Sequence, residues 1–175
     1  MIHRIDVRLA SDSDPLGEAV RQQIREFGSD VGPIATRRIF LIDSDADGNQ
    51  IRRIADELLA DPIVERADLL SAKAQAGGGS RIEIHLKPGV MDPVAGSTEM
   101  AIRDMGLPVA QVRTGRAYVM EREVPREQLE QIASKILANG VIESVHFDRF
   151  LPSQFEVGRL GILAVCLVKV SGHSL

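Results

Sequence analysis

The chain has 175 residues, 26% of them charged, with a formal net charge of −4 at neutral pH. That length holds one medium domain or two small ones, and mild acidity without a basic stripe argues against nucleic acid or an anionic membrane as partner. Its single cysteine, Cys166, allows no internal disulfide and no cysteine-based metal site, which suits a cytoplasmic protein.

The first residues, Met1-Ile2-His3-Arg4-Ile5-Asp6, do not read as a signal peptide, and no apolar run approaches the ~20 residues of a membrane span. Ile5-Asp6-Val7-Arg8-Leu9 alternates apolar and polar residues, the pattern of a strand with one wet face. Asp14-Pro15 opens a helix: Asp accepts from free first-turn amides, and Pro at the first helical position loses no needed donor. Leu16, Val20, Ile24 and Phe27 form its apolar stripe, and Gly28 stops it. Ile34 to Ile42 is β-rich around a basic centre, Thr36-Arg37-Arg38, and fits either one kinked strand or a hairpin.

Asp43-Ser44-Asp45-Ala46-Asp47-Gly48 is similar to the start of a calcium loop, but Ile54 stands where the bidentate Glu is needed. The segment is better read as a solvated loop capping the helix at Gln50. Ile51, Ile54, Ala55, Leu58 and Leu59 follow at i, i+3, i+4, i+7 and i+8, an amphipathic helix packed on a sheet. Pro62 breaks it, and Ile63 to Leu69 is a closing strand. Residues 71–80 are small and flexible and read as a linker. Gly77-Gly78-Gly79-Ser80 lacks the Gly-Lys-Ser/Thr of a phosphate loop.

The second half repeats the first. Asp14-Pro15 recurs 78 residues later as Asp92-Pro93, Gly28 as Gly106, Arg38 as Arg116, Leu58-Leu59 as Ile136-Leu137, and Val64-Glu65 as Ile142-Glu143. The equivalent elements are the strand Ile82 to Leu86, a helix carrying Val94, Ile102 and Met105, the β-rich stretch Val109 to Met120, a helix carrying Leu129, Ile132, Ala133, Ile136 and Leu137, and the closing stretch Val141 to Phe150. Each copy is strand–helix–strand(s)–helix–strand, a ferredoxin-like α+β plan. At about 70 residues each, the copies gain the buried area they lack by packing as a pseudo-symmetric pair. The expected organisation is a degenerate repeat over 1–70, the linker 71–80, a second repeat over 81–150, and a tail over 151–175. Leu160 to Val170 in the tail reads either as a buried strand or as the opening of a further unit.

Two segments are candidates for a site. Lys87-Pro88-Gly89-Val90-Met91-Asp92-Pro93 is either a loop presenting Lys87 and helix N-terminal amides to a partner or anion, or a plain strand-to-helix connection. Arg113 and Arg116 flank Gly115, and either pair with acidic groups of a partner or sit in a solvated turn. His3, His85, His146 and His173 show no i, i+3 or i+4 pairing, so no metal is expected. No nucleophile–base arrangement or carboxylate pair emerges, so the residues alone indicate a binding or assembly module.

The second copy resembles the PurS family, the small subunits of phosphoribosylformylglycinamidine synthase. Three motifs carry the resemblance: Lys87 to Pro93; Val112-Arg113-Thr114-Gly115-Arg116-Ala117-Tyr118; and Lys135-Ile136-Leu137-Ala138-Asn139-Gly140-Val141-Ile142-Glu143. It covers roughly residues 81–150. The first copy is a degenerate relative in which Ala10-Ser11-Asp12-Ser13 replaces the Lys-Pro-Gly loop, one residue shorter. Arg116 stands where the family has lysine, which keeps charge but not shape.

The resemblance implies a covalently linked PurS pair. Such a chain would be a non-catalytic assembly subunit between a PurL-type synthetase and a PurQ-type glutaminase, aiding ammonia transfer during conversion of formylglycinamide ribonucleotide to the amidine. It also implies that ATP and Mg are used by the synthetase and that this chain binds no cofactor. Lys87, Gly89, Asp92, Arg113, Gly115 and Arg116 are its expected interface or loop positions, and self-association is compatible with it. Residues 152–158 would fit the start of a connection to a fused synthetase. The alternative is a tandem regulatory module binding a small metabolite at the inter-repeat interface.

Overall fold

The computed structural model describes residues 1–70 and 78–156; Cys166, His173 and the stretch Leu160 to Val170 lie outside the described residues. The first repeat runs β1 (Ile2–Leu9), α1 (Pro15–Glu26), β2 (Ile34–Asp43), α2 (Gly48–Ile54, extended by a widened π-type turn, Ala55–Leu59) and β3 (Glu65–Leu70). The second runs β4 (Ser80–Leu86), α3 (Pro93–Asp104), β5 (Gln111–Met120), α4 (Arg126–Ile132, extended over Ala133–Leu137) and β6 (Glu143–His146). One six-stranded antiparallel sheet, ordered β3-β1-β2-β5-β4-β6, joins both repeats into the expected α+β plan.

β2 and β5 are each one long strand, which settles the hairpin alternative. They pair with each other in the middle of the sheet, and Arg38 lies opposite Arg116 at the centre of that register. Equivalent residues facing one another is the signature of a two-fold axis, here an internal one. The closing strands are shorter than the apolar pattern suggests. Ile63 and Val141 lie in turns and are 82% and 80% exposed, so their hydrophobicity does not reflect core position.

Local signals explain the helix boundaries. Asp47 accepts from the amides of Asn49 and Gln50, and Gln50 accepts from the amide of Asp47, a reciprocal cap that opens α2. Gly28 and Gly106 follow α1 and α3 with φ of 98° and 73°, a left-handed conformation suited to glycine. Thr98, where the apolar stripe of α3 breaks, is buried and returns its hydroxyl to the Val94 carbonyl at 2.8 Å.

The helices cover one face of the sheet, and they do so crosswise. Val20 and Ile24 of α1 belong to a core cluster with Ile82, Ile84, Met120 and Ile132 of the second repeat. Ala95 and Ile102 of α3 lie in the cluster of Ile5, Val7, Ile42 and Ile54 in the first. Each repeat thus donates its first helix to the other's core, and neither core is complete alone. No helix among the described residues is long and apolar enough to cross a membrane.

The opposite face of the sheet holds a buried ring of four charges. Arg4 Nε donates to Asp6 at 2.7 Å and its terminal nitrogens to Glu83 at 2.7 and 2.9 Å. Arg81 reaches back to Asp6 at 2.9 Å and also bonds Glu83. All four residues are buried. Arg4 and Asp6 precede Leu9 by the same spacing as Arg81 and Glu83 precede Leu86, so the ring consists of equivalent pairs joined across β2 and β5. Ile39, Leu41 and Ala117 pack beneath Phe150, Leu151 and Phe155 on the same face.

Candidate functional site

The loop after β4 is built by its own sequence. Pro88 and Gly89 occupy the middle of a turn closed by the Val90 amide on the Lys87 carbonyl at 3.1 Å, and Gly89 has φ of 88°. Pro then Gly in those positions is the preference of a type II turn. The Lys87 amide donates to the Ile142 carbonyl at 2.9 Å, and Lys87 Nζ donates to the Gly140 carbonyl at 2.5 Å. The loop is therefore fastened to the turn that precedes β6.

Asp92 caps α3 and does more. One carboxylate oxygen accepts from the Ala95 amide at 2.9 Å. The other accepts from the amide and hydroxyl of Thr114, at 3.0 and 2.8 Å, and so ties the helix start to β5. Asp14 repeats this with Gly17 and Thr36, at 2.7 Å to the Gly17 amide and 2.5 and 2.8 Å to Thr36. Burial pushes the Asp14 carboxyl up, but the donors from Gly17 and Thr36 outweigh it and hold the group below the usual carboxylate range.

Alternation along β5 separates the other three candidates. Arg116 faces the helices, donates to both oxygens of Glu143 at 2.7 and 3.2 Å, and caps the Leu137 carbonyl at 2.9 Å. Those bonds make it part of the frame. Arg113 and Gly115 share the other face. Arg113 bonds the Glu156 carbonyl and lies over the Phe155 ring, 4.7 Å from its centroid; burial lowers its pKa. Gly115 is opposite His85, and a Cβ there would come within 2.4 Å of His85 Nδ1, so only glycine leaves room for the imidazole.

Lys87, Gly89, Asp92 and Arg113 line one cavity of about 470 Å³, whose wall also includes His85, His146 and Phe150. Gly115 and Arg116 are not part of its wall. The three rings form a cluster: His146 stacks on Phe150 at 4.1 Å, and His85 lies 5.0 Å from Phe150 and 5.7 Å from His146. His85 Nε2 is 3.4 Å from Glu83. Burial, helped by His85 and opposed by Glu83, lowers the His146 pKa. Sequence spacing misses this cluster because His85 and His146 sit on neighbouring strands, with Phe150 in the segment after β6; only the pairing of β4 with β6 brings the two histidines together. No group of three or more His, Cys, Asp or Glu among the described residues could hold a metal ion.

Two halves that pair through their central strands and exchange helices define a two-fold module fused into one chain. The particular family follows from sequence comparison. The PurS model, described as phosphoribosylformylglycinamidine (FGAM) synthase, matches residues 3–72 and again residues 80–150. The chain belongs to the PurS family, as a tandem duplication of its unit. Its similarity extends to the PurS subunit of phosphoribosylformylglycinamidine synthase from Synechocystis sp., 34% identical over 74 residues, which cover 39% of this chain and 74% of that one.

Proposed function

We propose that this chain is the assembly subunit of a phosphoribosylformylglycinamidine synthase, a PurS pair in covalent form. The observation that carries this reading is the internal two-fold pairing of β2 with β5, with α1 and α3 exchanged, in a chain matched twice by the PurS family. Two identical subunits would present two identical faces; one chain with two diverged repeats presents two different ones. That suits a bridge between a PurL-type synthetase and a PurQ-type glutaminase. In this reading ATP and Mg act on the synthetase, ammonia is released by the glutaminase, and this chain positions the two and aids transfer in the cytoplasm.

The contact surface we assign is the Lys87–Gly89 loop with its exposed neighbours Met91, 84% exposed, and Val141. The first repeat offers Ile63 and Val64 at the equivalent turn, also exposed. Asp92 and Arg116 support that surface from within.

The test is amidine formation by the cognate synthetase and glutaminase, with and without this chain, using glutamine or ammonium chloride. The reading expects glutamine-dependent turnover to require the chain and ammonia-dependent turnover not to. Unchanged rates, with no co-elution of the three proteins, would remove it.

A further inference from the structure

The turn before β6 carries a reactive pair that its counterpart in the first repeat lacks. Asn139-Gly140 stands where the first repeat has Asp61-Pro62. The two turns are otherwise built alike. The Asn139 amide donates to Glu143 Oε2 at 2.8 Å, and the Asn139 carbonyl accepts from the Glu143 amide at 2.9 Å. Asp61 and Glu65 repeat these bonds at 2.9 and 2.8 Å. Asn139 Oδ1 accepts from the Val141 amide at 3.1 Å, as Asp61 Oδ1 accepts from the Ile63 amide at 2.8 Å. A side-chain oxygen bonded two residues on is a turn that Asn and Asp both form. The turn is therefore served by a carboxamide or a carboxylate at its first position.

Glycine is not demanded at the next position. The φ of Gly140 is not positive, a Cβ there would meet nothing within 4 Å, and the first repeat uses Pro62. What glycine supplies is an unshielded main-chain nitrogen. Asn139 and Gly140 are both exposed and lie outside helix and strand. The Gly140 amide has no hydrogen-bond partner among the described residues, and Pro62, which has no N–H, shows that the turn needs no donor there. The Val141 amide, bonded to Oδ1, draws electron density from Asn139 Cγ, the carbon that closes a five-membered ring with the Gly140 nitrogen. Asn49, the other asparagine of the chain, is placed differently: it lies in α2, and the Gln50 nitrogen that follows it already donates to Asp47 at 2.9 Å.

We propose that Asn139 is a site of spontaneous deamidation. The deprotonated Gly140 nitrogen attacks Cγ, the side-chain nitrogen leaves as ammonia, and a succinimide closes. Water then opens the ring at either carbonyl, giving aspartate or isoaspartate. Overall a water is consumed and an ammonia released, and nothing is oxidised or reduced. The two products have different consequences. Aspartate reproduces Asp61 and keeps the turn. Isoaspartate routes the main chain through the former side chain, which lengthens it by a carbon. That displaces the Gly140 carbonyl that holds Lys87 Nζ at 2.5 Å, the exposed Val141, and the bonds to Glu143. Val141 and the Lys87 loop belong to the contact surface assigned above, so a consequence for assembly rests on that reading; the chemistry does not.

The experiment is timed incubation of the whole chain at neutral and at mildly alkaline pH, followed by tryptic digestion and mass spectrometry. Peptide 136–149 should progressively gain the mass of an amide-to-acid conversion, faster at the higher pH, while peptide 39–52, which holds Asn49, stays unchanged. Gly140→Pro, which brings in the first repeat's residue, should abolish the gain. In amide NMR spectra the aged chain should develop a second set of signals at Lys87, Ile142 and Glu143, and fresh Asn139→Asp should show a single set. Spectral dispersion establishes that both variants fold. No mass gain in 136–149, a gain that survives Gly140→Pro, or an equal gain in 39–52 overturns the proposal. An aged chain without the second signal set, or the same set in Asn139→Asp, overturns the role given to isoaspartate. Both readouts use this chain alone, so their failure leaves the assembly reading untouched.

Discussion

Arg38 stands directly opposite Arg116 in the pairing of β2 with β5. Like charges facing across a ladder are destabilising unless each is diverted. Both are: Arg38 turns to Glu65 at 2.7 Å and to the Leu59 carbonyl at 3.1 Å, and Arg116 to Glu143 and the Leu137 carbonyl. The two arginines also cap helix-end carbonyls that would otherwise lack donors. The internal axis therefore passes between two equivalent clamps, each closing its own repeat.

Removing one clamp should cost less than its geometry suggests, because Arg116 keeps partial contact with water. Glu143→Gln is expected to destabilise the chain by about 1–2 kcal/mol, and Arg116→Lys by about 1 kcal/mol, since lysine cannot serve both the carboxylate and the carbonyl with a planar fork. Urea denaturation of the three proteins gives the values. A loss above that range in Arg116→Lys would mean that the fork supports more than Glu143 and Leu137.

Asp14 and Asp92 make equivalent bonds and should respond alike. Alanine at either removes a helix cap and the anchor of the following strand, an expected loss of roughly 2–3 kcal/mol. Equal losses in unfolding experiments would establish Asp92 as part of the frame. A much smaller loss at Asp92, together with failure to bind the synthetase, would return it to the interface.

Much of the fold was legible because its signals are local. Asp-Pro starts, glycine stops and the i, i+3, i+4 stripes of α2 and α4 depend on nearest neighbours, and the 78-residue offset exposed the duplication. What was not legible depends on pairs distant in the chain. Arg4 and Arg81 look like ordinary wet-face residues of alternating strands, yet each is buried against the other repeat's carboxylate. Val20 and Ile24 read as a helix stripe, but a stripe does not say whose sheet it covers, and here it covers the other repeat's. The candidate site divided along the same line: the Pro-Gly turn was visible, whereas His85 and His146 became partners only once β4 and β6 paired.

The crosswise helices predict that neither repeat folds alone. Residues 1–76 and 77–156, expressed separately, should each show little cooperative unfolding, and mixing them should restore a single transition with a concentration-dependent midpoint. Circular dichroism during thermal melts decides the matter. Cooperative melting of one half by itself would show that its core does not need the exchanged helix.

The charge ring couples the repeats through ions removed from water. Glu83→Gln should destabilise by about 3–5 kcal/mol, because Arg4 and Arg81 would lose a buried counter-ion. Replacing all four members together, Arg4→Met, Asp6→Leu, Arg81→Met and Glu83→Leu, should be far less damaging and close to neutral. Denaturant midpoints of the two proteins separate these cases. If the fourfold replacement is the worse of the two, the ring contributes net stability and not only specificity of pairing.

Acid should weaken the molecule in two stages, with signs set by the direction of each shift. The His146 pKa is lowered by burial from an ordinary value of 6.5, so the unfolded chain takes up that proton first and stability falls as pH drops below about 6.5. Glu83 and Glu143 are lowered from 4.5 and Asp14 from 3.8, so their contribution is fully present above those values and is lost as pH falls below them. Unfolding free energy measured between pH 8 and pH 3 should therefore decline gently below pH 6.5 and more steeply below 4.5. His146→Gln removes the titrating ring while leaving the carboxylates in place, so it should flatten the upper stage and spare the lower. An upper stage that persists unchanged in that variant would assign it to a group other than His146.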